Sequence, residues 1–168
     1  MKPFDAGRDG LVLGEAASAL LLGPGNAQDF RLLGGANLCD THSMSAANAD
    51  GSSVAAVISA ALSEANLQHT AIAAIKAHGT ASLLNDEAEA AGLLRVFSRS
   101  NLPPVCALKP FIGHTLGACG LTELILFWQA ILHGFIPATA GIGADSTVLG
   151  ISLTQQAQAA ASGAYLLN

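Results

Sequence analysis

The sequence is poor in positively charged residues. Its 168 residues include seven Lys and Arg against twelve Asp and Glu, which gives a formal net charge of -5 and a pI near 5.3. A protein that binds DNA or RNA needs basic side chains clustered on one surface. This charge balance cannot supply such a cluster, so we expect no nucleic-acid partner.

The sequence also lacks long apolar runs and paired cysteine motifs. No run reaches 18 consecutive apolar residues, and no basic stretch leads into a short apolar segment at the N-terminus. Neither a membrane-spanning helix nor a secretory signal is predicted. Cys39, Cys106 and Cys119 are an odd number without C-x-x-C spacing, which is typical of reduced, mostly buried thiols and not of disulfides or zinc sites. We therefore expect a cytoplasmic protein without membrane association.

Apolar residues, in contrast, are abundant. The chain is 51 % hydrophobic and 11 % charged, which is more apolar than an average soluble domain. A chain of this length fits one domain and buries roughly 70 % of the surface that its unfolded form exposes. The excess indicates a face that a missing partner covers. A soluble monomer with an alanine-rich core is the alternative that this composition leaves open.

The order of apolar runs and turn residues predicts an α/β domain. The segment 50–53 combines a turn signal with N-cap chemistry, so a helix is expected to start there. We predict helices over 52–66, 85–97 and 117–133, and strands near 11–22, 30–38, 71–77, 104–108, 148–153 and 162–167.

Two histidine turns are the candidate functional feature. His78 follows the apolar run that ends at residue 77, and His114 closes the segment 109–114 after a second apolar run. Loops at the carboxyl ends of neighbouring strands in an open α/β sheet face one crevice, so the two turns are expected to meet. The acidic segment 85–89 lies between them in the sequence. Two imidazoles, an ammonium and a carboxylate in one cleft suit enolate or oxyanion chemistry.

Four motifs resemble the C-terminal half of the β-ketoacyl synthase family, in family order and with family spacing. Residues 2–15 are similar to the family's R-P-F-D-x-x-R-D-G-F-V-x-G-E, residues 77–80 read A-H-G-T, residues 85–89 read N-D-E-A-E, and residues 108–120 are similar to K-x-x-x-G-H-x-x-G-A-A-G. The resemblance implies one domain over 1–168: the C-terminal half of a thiolase-like fold, with a mixed five-stranded sheet and helices on both faces.

The resemblance also implies catalytic residues. His78 and His114 would donate hydrogen bonds to the oxygen of a malonyl thioester as it becomes an enolate, since a neutral imidazole supplies a ring N–H without a full positive charge. Lys109 and Glu89 would form a buried ion pair that orients both histidines, because a buried ammonium needs a partner. Without the resemblance, Lys109 would be read as a surface lysine, and the helix carboxylates Asp86 and Glu89 as groups that stabilise a helix end.

Substrate contacts are implied by the neighbouring positions. Thr80 and Ser82 stand where the family offers two hydroxyls to the phosphopantetheine arm of an acyl carrier protein. Phe111 and Ile112 are bulkier than the usual family residues and are expected to shape the acyl channel. The substrates are carried on the carrier protein, so we expect no cofactor. We also expect no metal, because the histidines show no i, i+4 pair of the kind that helical metal sites use.

The family reaction is a decarboxylative Claisen condensation of an acyl thioester with malonyl-carrier protein, in fatty-acid or polyketide synthesis. The family's nucleophilic cysteine and its closing glycine-rich segment do not occur in these 168 residues. We therefore expect a fragment of an acyltransferase that is inactive by itself, with an acyl carrier protein, the N-terminal ketosynthase half and a homo- or heterodimer mate as partners. The alternative parent is a non-catalytic subunit, similar to a chain-length factor, that dimerises with a ketosynthase.

Overall fold

Helices and short strands alternate along the second and third quarters of the chain. This computed structural model describes residues 1–26, 30–44, 46–143 and 149–168. In these ranges the helices are α1 (Ser52–Glu64), α2 (Leu83–Phe97), α3 (Lys109–Ile112) and α4 (Cys119–Leu132), and the strands are β1 (Ile72–Lys76), β2 (Val105–Cys106), β3 (Phe135–Ile136), β4 (Gln158–Ala159) and β5 (Ala164–Leu167). Short 3-10 turns at His69–Ala71 and Leu116–Ala118 precede β1 and α4.

The central sheet is parallel and has the strand order β2-β1-β5. Ile75 lies opposite Val105, and Lys76 lies opposite Cys106 on one side and Leu167 on the other. Helix α2 makes the crossover from β1 to β2, as a parallel pair requires. Because the strands are parallel, the site turns that follow β1 and β2 leave from the same edge of the sheet.

Helices cover both faces of this sheet. Alternate strand residues point to opposite faces, so Ile75 packs towards α1 and α2 while its neighbour Ala74 packs towards α4. On the first face, Leu62 of α1 and Leu93 and Phe97 of α2 join the core. On the second face, buried Phe127 of α4 lies against the sheet together with Cys106, Leu108 and Ile136.

The predicted α/β class with helices on both faces is confirmed, but the single five-stranded sheet is divided. The structure has a parallel sheet of three strands and a separate antiparallel pair, β3 with β4. The strand predicted near 148–153 is reduced to one isolated bridge between Leu153 and Val105, and residue 148 lies outside the described residues. Leu153 therefore extends the β2 edge of the central sheet by a single bridge, and β3 and β4 remain separate from that sheet.

The predicted strands at 11–22 and 30–38 are wrong. The described residues of both segments contain no strand, and their one ladder contact is an isolated parallel bridge between Leu13 and His114. A strand is stable only when a neighbour accepts its backbone hydrogen bonds, and beyond this bridge the described part of the chain supplies no such neighbour. Most of the large apolar side chains remain exposed, including Leu21 at 95 % and Leu32 at 77 %.

The helices and the remaining strands lie close to their predicted positions, with shorter strands. Helix α2 begins two residues earlier than predicted, and the one-turn helix α3 was not predicted. None of the helices in the described ranges is long and apolar enough to cross a membrane.

Candidate active site

The two histidine turns meet, as the sequence predicted. The ring centroids of His78 and His114 are 5.4 Å apart, and the ring planes are nearly perpendicular at 88°. Gly79 follows His78 with a φ angle of +54°, and Gly113 precedes His114 with a φ angle of +74°. Residues with a Cβ rarely adopt such positive φ angles. A Cβ on Gly113 would also lie 2.8 Å from the backbone nitrogen of Gly14. The glycines therefore allow the turns that bring the imidazoles together.

The N-terminal segment holds the second turn. The His114 amide donates to the Val12 carbonyl oxygen at 2.7 Å, and the Gly14 amide donates to the His114 carbonyl oxygen at 3.1 Å. A Cβ on Gly14 would lie 2.0 Å from the Ile112 carbonyl oxygen, so only glycine fits there. Residues 12–14 thus fix the backbone of His114, a contact that the sequence did not indicate.

Lys109 lies directly against His78. Its Nζ donates to the His78 carbonyl oxygen at 2.5 Å and lies 3.2 Å from His78 Nδ1. A lysine ammonium can only donate hydrogen bonds, so Nδ1 acts as the acceptor and the ring proton is on Nε2. Lys109 is fully buried at the start of α3. It therefore sets the tautomer of His78.

The predicted pairing of Lys109 with Glu89 is wrong. Lys109 Nζ instead donates to Glu123 Oε1 of α4 at 2.6 Å. Glu89 accepts hydrogen bonds from the amides of His78 at 2.6 Å and Gly79 at 2.8 Å, and from Asn168 Nδ2 at 2.6 Å. The reason is geometric, because α2 places Glu89 under the backbone of the turn that follows β1. Glu89 still orients His78, but through the main chain.

Glu123 is the site residue that the sequence analysis missed. It is fully buried, and its two carboxylate oxygens bind Lys109 and Lys76, each at 2.6 Å. The Cys119 thiol donates to Oε1 at 2.8 Å. A signal was present, since Glu123 is the only charged residue in the apolar helix α4 and a buried carboxylate needs hydrogen-bonded partners.

Asp86 connects the N-terminus to the first turn. Its carboxylate accepts hydrogen bonds from the Phe4 amide at 2.7 Å and the Ala81 amide at 3.2 Å. Phe4 is fully buried in the core beside α2. Asp86 therefore does more than stabilise a helix end, because it lies in the first helical turn of α2 and also binds the Phe4 amide, which is 82 residues away in the sequence.

Burial and lysine charges keep both imidazoles neutral. Burial is the main cause that lowers the pKa of His78 to about 4, and the charges of Lys109 and Lys76 lower it further. The pKa of His114 is also lowered, by burial and then by Lys109. His114 Nδ1 is buried without a hydrogen-bond partner among the described residues. Neutral rings can donate an N–H to an oxyanion without carrying a full charge.

The carboxyl groups respond to burial in opposite ways. Burial raises the pKa of Glu89, against the opposing hydrogen bonds from Gly79, Asn168 and His78. Burial alone would raise the pKa of Glu123 too, but Lys76 and the hydrogen bonds that it receives lower that pKa below its ordinary value. Glu123 is therefore the ionised partner of the lysines.

The predicted substrate residues lie beside the first and second turns. Thr80 is buried, and its hydroxyl oxygen is 3.0 Å from the Ser82 hydroxyl oxygen, so the two hydroxyls are mutually bonded. Phe111 is 60 % exposed and Ile112 is half-buried on α3. All four flank the histidines as expected, while their roles towards a substrate stay predictions.

The cysteines divide by environment. Cys39 is exposed, and Cys106 and Cys119 are buried. Burial raises the pKa of Cys106 to about 12 and also raises that of Cys119, where the hydrogen bond to Glu123 adds to the effect. Buried thiols of this kind are poor nucleophiles. Across the part of the chain that the structure describes, no group of three His, Cys, Asp or Glu residues is arranged to hold a metal ion.

Solved ketosynthase structures share this fold. The complex AntDE:AntF, a type II polyketide synthase acyl carrier protein with its ketosynthase bound to the hexaketide, matches 95 % of this chain and 41 % of that chain with a TM-score of 0.77 and 20 % identity. The ishigamide ketosynthase/chain length factor matches 95 % of this chain and 41 % of that chain with a TM-score of 0.73 and 31 % identity. The ketosynthase ApeO in complex with its chain length factor ApeC from Xenorhabdus doucetiae matches 77 % of this chain and 33 % of that chain, with a TM-score of 0.69 and 32 % identity.

Proteins of similar sequence carry names of the same kind as the matched structures. The chain is 34 % identical over 149 residues to the actinorhodin polyketide putative beta-ketoacyl synthase 1 of Streptomyces coelicolor, covering 84 % of this chain and 32 % of the relative. It is 35 % identical over 142 residues to the chloroplastic 3-oxoacyl-[acyl-carrier-protein] synthase I of Arabidopsis thaliana, covering 80 % of this chain and 30 % of the relative. The chain thus spans about a third of the length of these relatives. Residues 31–143 match the family model "Beta-ketoacyl synthase, C-terminal domain", and the chain therefore belongs to the β-ketoacyl synthase family, as its C-terminal domain.

Proposed function

We propose that this chain supplies the decarboxylation half of a β-ketoacyl synthase active site. The observation that carries the proposal is the pair of imidazoles whose ring centroids are 5.4 Å apart, with Lys109 Nζ 3.2 Å from Nδ1 of His78. This arrangement leaves a ring N–H of His78 available to stabilise negative charge. Preorganised donors of this kind, aimed at a developing oxyanion, are worth about 2.7 to 4 kcal/mol each.

The proposed reaction is a decarboxylative Claisen condensation. A cysteine of the N-terminal half, which the family supplies, holds an acyl group as a thioester. Malonyl-carrier protein then loses CO₂, and the electron pair of the broken C–C bond forms an enolate whose oxygen accepts hydrogen bonds from His78 and His114. The enolate carbon attacks the acyl carbonyl carbon, and the cysteine leaves as the thiolate.

Substrate and partner assignments belong to the same proposal. Thr80 and Ser82 would bind the phosphopantetheine arm of an acyl carrier protein, and Phe111 and Ile112 would line the acyl channel. The exposed apolar residues between 11 and 38 would be covered by the N-terminal half and a dimer mate. The chain would work in the cytoplasm without a cofactor of its own. One of the relatives is named as a polyketide beta-ketoacyl synthase and another as a 3-oxoacyl-[acyl-carrier-protein] synthase.

A chain-length-factor-like parent is the second candidate. Two of the matched structures contain a chain length factor beside the ketosynthase. Retention of His78, His114, Lys109 and the buried acidic partner favours the catalytic parent, because a silent subunit has no chemical need for them. The residue at the nucleophile turn of the complete protein distinguishes the two, since a cysteine there supports an enzyme and any other residue supports a silent subunit.

The main test is malonyl decarboxylation by the complete ketosynthase that contains this chain. We expect His78→Ala and His114→Ala each to reduce the rate by roughly 10²- to 10³-fold, the scale for loss of one oxyanion donor. His133→Ala, an exposed histidine beyond the end of α4, is the matched control and should leave the rate within about twofold. A near-parental rate for either site variant would remove that histidine from the mechanism, and an inactive complete protein would favour the silent subunit.

A second test uses the isolated chain. Because Cys106 and Cys119 are buried with raised pKa values, we expect no condensation and no stable acylation when the chain is incubated with a radiolabelled acyl carrier thioester. The control is a complete ketosynthase under the same conditions. Stoichiometric labelling of Cys39, Cys106 or Cys119 would contradict the proposal that the nucleophile lies outside this chain.

A further inference from the structure

Lys76 is a buried cation that the recognised motifs leave without a role, since the histidine motif begins one residue later, at Ala77. It is the last residue of β1 and is 3 % exposed. Its Nζ donates to Glu123 Oε2 at 2.6 Å and to the Asn168 carbonyl oxygen at 3.0 Å. A fully paired ammonium in the interior is costly to desolvate, so its place beside the site calls for an explanation.

The contacts of Lys76 continue to His78 through two side chains. Glu123 gives one oxygen to Lys76 and the other to Lys109, each at 2.6 Å. Lys109 Nζ in turn contacts both the carbonyl oxygen and Nδ1 of His78. Each link is a charge-assisted hydrogen bond at or below 3.2 Å, and such bonds are strong and directional. Movement of the Glu123 carboxylate would therefore move the Lys109 ammonium and change its contact with His78 Nδ1.

Lys76 lies between two buried carboxyl groups. Lys76 and Lys109 are two cations against the one carboxylate of Glu123, an excess that buried groups avoid. Glu89 is the second buried carboxylate, and Asn168 joins it to Lys76, accepting from Lys76 with its carbonyl oxygen and donating to Glu89 with Nδ2. Lys76 is the group that connects both carboxylates. Removal of the Lys76 ammonium leaves Glu123 with Lys109 as its cationic partner, so the Glu123 carboxylate is no longer held from both sides.

We infer that Lys76 is a positioning residue for His78: it holds Glu123 in the orientation that keeps Lys109 donating to His78 Nδ1. The inference deepens the proposed ketosynthase function, on which its catalytic consequence rests. Its structural content concerns the tautomer of one imidazole and is measurable without turnover. The charged and titratable groups around His78 are Lys76 on β1, Glu89 on α2, Lys109 on α3, Cys119 and Glu123 on α4, and His114 on the second turn.

The test is long-range ¹H–¹⁵N NMR of the His78 ring in this chain. We expect the parent to show a single Nε2–H tautomer and a pKa near 4. In Lys76→Met, Nδ1–H becomes populated and the pKa rises towards 6.5, because both the positioning and a nearby positive charge are lost. Lys2→Met, the same change at an exposed lysine, is the matched control and should leave both readouts unchanged.

Two further variants separate positioning from charge. Lys76→Gln keeps a hydrogen-bond donor for Glu123 without the charge, so the pKa should rise while the Nε2–H tautomer persists. Lys76→Arg should retain both parental signals. An unchanged tautomer and pKa in folded Lys76→Met would overturn the inference. Failure of both Lys76→Met and Lys76→Gln to fold would overturn it as well, because Lys76 would then serve the whole fold and not one imidazole.

Activity provides a separate readout. In the complete ketosynthase, Lys76→Met should lower kcat for malonyl decarboxylation at least tenfold with little change in KM, since a misdirected donor affects the transition state more than substrate binding. The predicted NMR change together with an inactive parental enzyme would contradict the proposed function alone. An unchanged NMR signature together with active enzyme would contradict the role of Lys76 alone.

Discussion

Two regions of the chain use apolar sequence in opposite ways. From β1 to α4, over residues 72–132, apolar residues pack on both faces of a parallel sheet, and the charged side chains between them form the candidate site. Over the described residues of 11–38, here called the N-terminal arm, runs that are equally apolar form no helix or strand, and large side chains are exposed. The difference shows that apolar content becomes strand only where the same chain supplies hydrogen-bond partners.

The two regions also meet at particular points. The Val12 carbonyl and the Gly14 amide hold the backbone of His114, and Phe30 lies 6.0 Å from Trp128 between ring centroids. The N-terminal arm is therefore anchored to the site although most of its large apolar side chains are exposed. Three measurements test whether the buried region and the N-terminal arm contribute differently to the free energy of unfolding, as their packing indicates.

The largest effect is expected at Glu123. Glu123→Gln removes the carboxylate that contacts both Lys76 and Lys109, and breaking a buried ion pair on one side costs about 3 to 5 kcal/mol. Chemical denaturation should show this loss in the free energy of unfolding. Glu87→Gln is the matched control on α2, where the carboxylate is exposed and 3.9 Å from Arg8. It should change stability by less than about 1 kcal/mol, and equal losses for the two variants would contradict the buried network.

A pH titration tests the neutrality of His78. Its folded pKa of about 4 lies below the unfolded value of about 6.5, so the unfolded chain binds more protons between these values. The contribution of His78 to stability is complete above pH 6.5 and is lost as the pH falls to 4, by about 3 kcal/mol. NMR of the His78 ring should give a midpoint near 4 in the folded chain and near 6.5 in urea. A folded midpoint near 6.5 would show that the ring is solvated and would contradict the lowering of its pKa by burial.

The smallest effect is expected in the N-terminal arm. Leu32 is 77 % exposed, so Leu32→Ala should change the free energy of unfolding by no more than about 0.5 kcal/mol. Leu93, which is fully buried on α2, provides the comparison, because Leu93→Ala leaves a cavity and should cost about 2 to 5 kcal/mol. A loss above about 1 kcal/mol for Leu32→Ala in the isolated chain would show that the N-terminal arm is packed in solution. It would contradict the difference in packing between the two regions.

The misassigned ion pair shows where sequence reasoning stopped. The histidines could be placed because each follows an apolar run and lies next to a glycine at a tight turn, and because turns that leave neighbouring parallel strands face one crevice. The partner of Lys109 is decided by which helix faces its ammonium. Glu89 and Glu123 both lie on helices, and only the packing of α4 on the sheet brings Glu123 to 2.6 Å.

The sequence by itself determined the α/β class, the positions of α1, α2 and α4, and the two histidine turns, because hydrophobic periodicity, N-cap chemistry and turn glycines act over a few residues. The tertiary structure decided the division into two sheets, the absence of strands in the described parts of 11–22 and 30–38, and the sharing of Glu123 between Lys76 and Lys109. Strand pairing and buried charge pairing both depend on groups that lie far apart in the chain, and only packing sets the distances between them.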